Sequence, residues 1–543
     1  MSATAAEPVF SELVFAFVYP VGTNPDPVIS LFENHLAQYG YESHNFRISN
    51  HLSSLNLGIS VGDTTRYDRA DALIKAGNEA RRISQDNGIL AVMAITDIAS
   101  RRELDEQQRP VANPHTAHLV RSLKRPEEVA LFREVYRSGF YLVGIANDED
   151  SQIEYLTREL GMTRQQAEKL MERDQNEQLP NGQRTRDTFY LADVFIQASE
   201  AQYKLQVDRF LELVFGHPFK TPSREEHAMF LAYASAARSA QLGRQVGAAI
   251  TTPEGDVLAV GMNEVPSLKG GVYWEGDSDD CRDHKREIDS NAEHRSFIIK
   301  SICGNLTNDV ISSAAIMELV NRYLRAKGAD PGLEMTAGNA RTELGRPEPP
   351  SLIDPELAYS AIESSDLRSI TEYGRAVHGE MDAILTCARL GIRVSGCYLY
   401  VTTFPCHNCT RHIIASGIRR VYYVEPYPKS KARDLHSDAI CFDEKHAAKS
   451  GKIPFLPFVG IGPRRYLDFF SLDLSSGGPV QRKGEDHRPL DPPKKERPPR
   501  VSLIPLSFLE QEDKLLNDYE DVLRGLRGVP RTTKASEPDT PRN

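Results

Sequence analysis

The chain has 543 residues, of which 40% are hydrophobic and 26% are charged, a composition typical of globular proteins rather than fibrous or disordered ones. Its net charge of −11 argues against a polynucleotide-binding protein, because such binding draws most of its affinity from lysine and arginine. No run of about 18 apolar residues predicts a membrane span, and the first residues lack the basic-then-apolar order of a secretion signal. With seven scattered cysteines, the sequence predicts a cytoplasmic protein without membrane contact.

Residues 1–205 are predicted to form a parallel α/β sheet, because strand-like and helix-like patterns alternate there. Strand-like apolar runs lie at 13–18, 89–95 and 141–145. Helical patterns lie at 27–39, 69–83 and 126–138.

A turn at 20–24 follows the first strand. A working phosphate loop reads G-x-x-x-x-G-K-[ST], with the lysine on the β/γ-phosphates and the hydroxyl on Mg²⁺. When Gly22 is aligned with the second glycine of this motif, Phe17 occupies the position of the first glycine. Thr23 then occupies the position of the lysine and Asn24 the position of the Ser/Thr, so phosphoryl transfer is not expected. Backbone N–H groups at a helix N-terminus bind phosphate even without the lysine. A regulatory nucleotide site at this turn and a structural or partner-docking domain therefore both stay open.

A later part of the sequence has the residue types of a zinc site. His378 lies two residues before Glu380, and Pro405 precedes the Cys406-x-x-Cys409 pair. One imidazole and two thiolates leave the fourth tetrahedral position of zinc open for water, whose pKa the metal lowers to roughly 7. Glu380 is then predicted to be the catalytic residue, which takes a proton from the metal-bound water and passes it to the substrate. A structural zinc site, a redox cysteine pair and a site closed by a nearby histidine are the alternatives.

The residues around these ligands predict a consistent local fold. A helical pattern from 380 to 390 ends at Gly391, and an apolar strand lies at 396–402. A second helix is expected to begin at Pro405 and to run through 414. The metal ligands would then lie at two helix N-termini, whose dipoles stabilise thiolates.

The pattern upstream predicts a helix followed by a hairpin. Ser223 and Glu226 form a capping box at the start of the helix. Two apolar strands are joined by a turn at 254–256, and Asn263 follows the second strand.

This order, with HGEMDAIL at 378–385 and TTFPCHNC at 402–409, resembles the deoxycytidylate deaminases. The resemblance implies a cytidine-deaminase-like α/β/α sandwich over 221–475, with Zn²⁺ as the cofactor. Asn263 would contact the nucleoside sugar. Gly379 stands where alanine is usual but offers the same backbone N–H.

A nucleotide substrate also needs cations and hydrogen-bond donors around its phosphates. Pro405 and Gly379 are expected to line the substrate site through their backbone. The candidate phosphate contacts are Lys429, Ser430 and Lys431 on the loop after 425, and Arg238 and Arg244 after the first helix.

The whole chain looks like the bacterial anti-phage dCTP/dCMP deaminases, in which a kinase-like P-loop domain precedes the deaminase. Residues 162–177 resemble a kinase lid helix, and 188–196 resemble the closing strand of nucleotide kinases. The resemblance implies hydrolysis of dCTP and/or dCMP, which would deplete dCTP during infection. The resemblance to the deoxycytidylate deaminases implies a homo-oligomer, dimer-based or hexameric. The N-terminal domain is expected to bind a regulator: a nucleotide, or a phage, RNA or protein signal. A deaminase of RNA or single-stranded DNA is the alternative, but the negative charge favours a free nucleotide.

The remaining segments are less specific. An insertion at about 285–370 combines helical and loop patterns and suits a lid, an allosteric surface or a subunit contact. Residues 476–543 are expected to form a linker, a helix near 507–526 and a disordered tail. Cys281 and His284 are a candidate pair for a second zinc ion.

Overall fold

A computed structural model describes residues 11–60, 65–177, 179–308, 373–427, 430–472, 482, 489–500 and 505–528. Most of the predicted insertion, part of the predicted linker and the predicted disordered tail lie outside these residues. Within them, the chain forms two six-stranded sheets with helices on their faces.

The first sheet is built from five parallel strands of the N-terminal part. In chain order they are β1 Leu13–Val18, β2 Glu42–Arg47, β3 Thr116–Arg121, β4 Phe140–Ala146 and β5 Val194–Gln197. Their order across the sheet is β5-β4-β1-β3-β2, all parallel. β1 is completely buried in the middle of the sheet, so the turn after it lies at the carboxyl edge, where parallel α/β sheets bind ligands.

Helices cover both faces of this sheet. They are α1 Asp26–Gln38, α2 Ile48–Leu52, α3 Arg66–Ser84, α4 Ile89–Ala99, α5 Pro126–Tyr136, α6 Glu149–Glu154, α7 Arg164–Asn176, α8 Thr185–Phe189 and α9 Glu200–Val214. A π-helical turn, Tyr155–Glu159, follows α6. The predicted parallel α/β arrangement is confirmed.

One predicted strand is wrong. The apolar run at 89–95 is not a strand but the first part of α4, whose residues 89–95 are all buried. A helix enclosed on every side shows no polar face, so its sequence has the continuous apolar character of a buried strand. The strand predicted at 188–196 is also shorter, because α8 extends to Phe189 and β5 begins at Val194. β2 and β3 were not predicted.

The second sheet has a hairpin and four parallel strands. The strands are β6 Gly247–Thr251, β7 Val257–Met262, β8 Tyr398–Thr403, β9 Arg420–Glu425, β10 Ile440–Cys441 and β11 Ile453–Pro457. Their order is β10-β11-β9-β8-β6-β7, with β6 antiparallel to both of its neighbours. The remaining helices are α10 Arg224–Ala236, α11 Asp283–Arg286, α12 Ser290–Asn308, α13 Gly379–Leu390, α14 His407–Ser416, α15 Ala432–Leu435, α16 Glu444–Ser450, α17 Tyr466–Phe470 and α18 Pro505–Leu526.

Alternate residues of the central strands face two different helix layers. Leu399 and Val401 of β8 pack in one core with residues of α13 and α14. Tyr400, between them, packs in another core with Met229 and Ala232 of α10. This period of two places helices on both faces of the sheet. The predicted α/β/α sandwich, the capping box at Ser223 and the hairpin are therefore confirmed.

The two sheets share one hydrophobic core. A short strand, β12 Gly460–Ile461, leaves the second half of the chain and pairs antiparallel with β5 at the edge of the first sheet. The core that contains Tyr400 also contains Phe195 of β5 and Phe140 of β4. The two predicted domains are thus packed together through apolar side chains.

The C-terminal helix α18 belongs structurally to the N-terminal part. It packs on α3, α4 and α5, with Phe508 and Leu523 buried in the shared core. Its Glu512 forms two hydrogen bonds of 2.7 Å with the guanidinium of Arg102. Tyr136 donates a further hydrogen bond of 2.6 Å to Glu512.

Arg102 completes a buried charge network between Glu12, the residue before β1, and α18. The guanidinium also contacts Glu12, and His118 lies 3.0 Å from that carboxylate. Burial alone would raise the pKa of Glu12, but hydrogen bonds with His118 and Arg102 hold this pKa below its usual value.

Removing Glu512 should break this network. We expect Glu512→Ala to lower the free energy of unfolding by about 3–5 kcal/mol, because Arg102 would stay buried with one of its carboxylate partners lost. Thermal and denaturant unfolding measure the effect. Glu510→Ala is the matched control, since Glu510 is exposed on the same helix. Equal stability of the two variants would contradict the role of the network.

Candidate active site and metal centre

The structure brings the three predicted metal ligands together. His378 Nδ1 lies 3.3 Å from Cys406 Sγ and 3.3 Å from Cys409 Sγ. All three donor atoms lie within 4.8 Å of one another. In the part of the chain that the structure describes, no other group of three such side chains has this spacing, and Cys281 and His284 form no cluster of this kind.

Two helix starts hold these ligands. His378 is the N-cap of α13 and Cys406 is the N-cap of α14. The predicted start of the second helix at Pro405 is therefore early, and α14 begins at His407. Cys409 donates its backbone N–H to Cys406 Sγ at 3.4 Å. Both helix dipoles point their positive ends at the sulfur atoms, which favours thiolates.

The three clustered side chains differ in their protonation behaviour. A hydrogen bond with Cys409, followed by the neighbouring His378, lowers the pKa of the Cys406 thiol to about 4 despite its burial. A hydrogen bond with Cys406 raises the pKa of His378 to about 9. Burial raises the pKa of Cys409. Hydrogen bonds thus favour a thiolate at Cys406, whereas burial favours the protonated form of Cys409.

Glu380 is placed beside the ligands in the first turn of α13. Only 3% of its surface is exposed. Burial, with a smaller contribution from the nearby Cys406, raises the pKa of its carboxyl to about 7. A carboxyl group with such a pKa both accepts and donates protons near neutral pH, as a general acid–base residue must.

The donor set fits zinc. Zinc in proteins takes tetrahedral sites of cysteine sulfur and histidine nitrogen, and catalytic sites use three protein ligands. His378, Cys406 and Cys409 supply three donors of the correct types on adjacent helix ends. The pattern agrees with the predicted open site rather than with a closed four-ligand one.

Asn263, the predicted sugar contact, is committed to the backbone. Its side-chain oxygen accepts the N–H of Val246 at 2.7 Å, and its amide nitrogen donates to the carbonyl of Arg244 at 2.7 Å. The residue therefore fixes the segment that leads into β6. The exposed side chain of Arg244 lies 3.5 Å from the carboxylate of Glu425, at the end of β9.

The backbone is packed tightly at the start of α13. A β-carbon added at Gly261 would lie 2.3 Å from the carbonyl oxygen of Gly379, so only glycine permits this approach of β7 to the helix. A β-carbon at Gly379 would lie 3.0 Å from the carbonyl oxygen of Val246. This is tighter than ordinary van der Waals contact, which is a physical reason for glycine where the resembling family has alanine.

The structure describes only some of the residues predicted to bind the substrate's phosphates. Lys429 lies outside the described residues. The Ser430 hydroxyl donates a hydrogen bond of 2.8 Å to the carbonyl oxygen of Pro405. Pro405 itself is buried next to the first cysteine ligand.

Side chains from other elements contact the turn at the predicted regulatory site. The buried carboxylate of Asp174, on α7, accepts the backbone N–H of Val21 at 2.8 Å and contacts the ammonium group of Lys124 at 2.8 Å. A β-carbon at Gly22 would lie 2.8 Å from Gln152. Sequence reasoning missed Asp174 and Lys124, because neither lies in a recognisable motif.

The other two predicted regulatory residues, Thr23 and Asn24, are the last two residues of the turn. Thr23 is buried, and its backbone N–H donates to Pro20. Asn24 accepts the backbone N–H of Asp26 and lines a cavity of about 350 Å³ with Gly22 and Asn147.

Comparison with known proteins agrees with this geometry. Residues 222–425 match the family model of the cytidine and deoxycytidylate deaminase zinc-binding region. The match covers less than half of the chain. The matched residues include all three clustered ligands, and the prediction of zinc as the cofactor is confirmed.

Several curated relatives match shorter parts of this chain. The ComE operon protein 2 of Bacillus subtilis (strain 168) is 47% identical over 53 residues, which are 10% of this chain and 28% of that protein. The human deoxycytidylate deaminase is 37% identical over 107 residues, which are 19% of this chain and 53% of that protein. The chain thus spans between about a quarter and about half of the length of these curated relatives.

Among solved structures, the apo dCMP deaminase of the cyanophage S-TIM5 is 14% identical, with a TM-score of 0.20. The match covers 44% of this chain and 100% of that chain. Separately, none of the helices in the described ranges combines the length and the apolar character that crossing a membrane requires.

Proposed function

We propose that the chain is a zinc-dependent deaminase that hydrolyses the exocyclic amino group of a cytosine base in deoxycytidine nucleotides. The observation that carries the proposal is the contact of His378 Nδ1 with both cysteine sulfurs, 3.3 Å each, beside a buried Glu380. The match over residues 222–425 supports the same chemistry. Water and the cytosine nucleotide are consumed, and the uracil nucleotide and ammonia are released.

Glu380 performs the proton transfers in this proposal. Bound zinc would be held by His378, Cys406 and Cys409 and would supply Lewis-acid activation of water. The Glu380 carboxylate accepts a proton from the attacking water and delivers it to the ring nitrogen. It then transfers a proton to the departing amino group. Its raised pKa suits both directions of transfer.

A free nucleotide is the substrate that the charge distribution supports. The net charge of −11 is unfavourable for a polynucleotide. Exposed cationic side chains lie near the site, with Arg244 next to β6 and Lys431 after β9. Relatives named deoxycytidylate deaminase support a deoxynucleotide. Both dCMP and dCTP are kept as substrates in the proposal.

An assay of ammonia release separates the substrate classes. The purified chain is incubated with dCMP, dCTP, cytidine and an oligonucleotide panel. We expect turnover of one or both deoxynucleotides and none of the oligonucleotides. Turnover confined to RNA or single-stranded DNA would replace this proposal with the editing alternative.

Removal of a thiolate ligand should remove the metal. We expect Cys406→Ala to lose bound zinc and all turnover, because two protein ligands do not hold a catalytic zinc ion firmly. Cys281→Ala is the matched control and should keep the zinc content and the activity of the unmodified chain. Metal analysis by mass spectrometry measures both. A lower zinc content in Cys281→Ala would instead indicate a second zinc ion at Cys281 and His284.

The N-terminal part is proposed to regulate the deaminase without catalysing phosphoryl transfer. The position of the 20–24 turn, after β1 at the carboxyl edge of the sheet, supports a kinase-like P-loop domain, although the Val21 N–H already donates to Asp174. A nucleotide, or a phage, RNA or protein signal, would have to bind active and inactive states differently. Nucleotide binding, phage protection and the deamination rate of Gly22 and Thr23 variants test this idea.

Depletion of dCTP during infection is proposed from the resemblance to the anti-phage enzymes. A dimer-based or hexameric homo-oligomer is proposed from the resemblance to the deoxycytidylate deaminases, and a cytoplasmic location from the seven scattered cysteines. The free cysteines of the described residues are compatible with a reducing compartment. A monomeric mass at micromolar concentration would contradict the oligomer.

A further inference from the structure

Ser430, two residues before α15, contacts the residue before the first cysteine ligand. Its hydroxyl donates a proton to the carbonyl oxygen of Pro405 at 2.8 Å. The same hydroxyl oxygen accepts the backbone N–H of Ala432 at 3.2 Å. Its own N–H donates to the carbonyl of Tyr427 at 2.9 Å. Ser430 is thus held by three hydrogen bonds in one orientation.

A serine hydroxyl has a single proton to donate. A phosphate group accepts hydrogen bonds and offers no donor when fully ionised, so a phosphate-binding serine must direct that proton to the ligand. In Ser430 the proton is directed to Pro405 instead. The geometry therefore argues against the predicted phosphate contact.

The segment that receives this hydrogen bond positions Cys406. Phe404 donates its N–H to the carbonyl of Glu425 on β9. The carbonyl of Cys406 accepts the N–H of Thr410 at 2.9 Å and its hydroxyl at 3.0 Å. Pro405 lies between these two anchors and has no N–H of its own, so its carbonyl is the group through which it is fixed.

The segment that follows Ser430 is held in place by a buried residue. Ala432 is completely buried in the core that also contains Cys406, Cys409 and Ile413. Movement of Ser430 away from Pro405 would therefore disturb packing around the ligands. The hydroxyl connects a fixed point in this core to the Pro-Cys peptide.

We propose that Ser430 is a positioning residue, which sets the Cys406 sulfur against His378 and Glu380, and not a phosphate contact. This inference rests on the proposed deaminase function for its kinetic part. Ser430 acts through Pro405 and does not touch the reacting atoms.

The test compares Ser430→Ala, Ser430→Thr and Ser437→Ala in the full chain. Ser437 is exposed in the segment after α15 and serves as the matched control. Loss of one neutral hydrogen bond predicts about a three- to tenfold lower kcat in Ser430→Ala, equal for dCMP and dCTP, with unchanged KM. Zinc should be lost to a competing chelator more readily than from the Ser437→Ala control. Ser430→Thr keeps the hydroxyl and should recover most of the kcat.

Two results would overturn the inference. One is a raised KM for both nucleotides at unchanged kcat, which is the signature of a phosphate contact. The other is a lower melting temperature with unchanged kcat and zinc retention, which would limit Ser430 to capping α15. If the unmodified chain released no ammonia from any cytosine nucleotide, the proposed function would fail. The chelator competition would still decide whether Ser430 positions the zinc ligands.

Discussion

Glu380→Gln is expected to lower kcat by about 10²- to 10⁴-fold, the range that general acid–base catalysis supplies. Glutamine keeps the size and the hydrogen-bonding capacity of the side chain but cannot accept or deliver the proton. Because burial raises the pKa of Glu380 to about 7, its ionised form costs the folded state free energy, and removing the charge should not destabilise the fold. We therefore expect a melting temperature that is not lowered and an unchanged zinc content.

The control for this variant is Glu254→Gln, which changes an exposed glutamate in the hairpin turn between β6 and β7. Steady-state kinetics with dCMP and dCTP, together with metal analysis, measure the two variants side by side. Glu380→Gln with nearly full turnover and full zinc would assign the proton transfers to another group. Loss of zinc together with activity would show that Glu380 supports the metal site rather than the proton transfers.

Deleting residues 1–205 is expected to give an insoluble fragment. The deletion removes β5, the partner of β12, and the part of the shared core that Phe140 and Phe195 supply. Buried apolar residues of the same core that remain include Met229 and Ala232 of α10 and Tyr400 of β8. Apolar patches of this kind promote association and aggregation when they are exposed. The helix α18 would also lose the buried partners of Glu512.

Coexpression of residues 1–205 with 206–543 is the control for this deletion. The separate N-terminal part restores the missing apolar surface, so a soluble complex is expected. Size-exclusion chromatography of both preparations measures the difference. A soluble, monodisperse 206–543 fragment with full turnover would contradict a shared core, and it would also remove the basis for regulation through the N-terminal part.

The local elements of the site could be predicted because their signals lie in short stretches of sequence. His378, Cys406 and Cys409 come from two motifs, and the structure brings them together at two helix ends. The capping box at Ser223 and the hairpin were equally local. By contrast, the position of Cys406 as an N-cap rather than a first-turn residue depends on the exact helix start, which sequence patterns define poorly.

The remaining features depend on contacts between distant parts of the chain. A fully enclosed α4 shows no periodicity, so the run at 89–95 was mistaken for a strand. The pairing of Glu512 with Arg102 joins residues 410 positions apart. Asp174 accepts its hydrogen bond from Val21, which lies 153 positions away in the sequence. Neither pair has a sequence motif, because a buried carboxylate needs only a nearby donor and that donor can come from any element.

The proposed function is the conversion of a deoxycytidine nucleotide to the uracil nucleotide with zinc bound at His378, Cys406 and Cys409. NMR spectra of dCMP and dCTP incubated with the purified chain, recorded before chelation, after chelation and after zinc is added back, test it. We expect formation of dUMP or dUTP that stops on chelation and resumes with zinc, and none with Glu380→Gln. Unchanged nucleotides in the presence of the zinc-loaded chain, or equal turnover after complete removal of zinc, would contradict it.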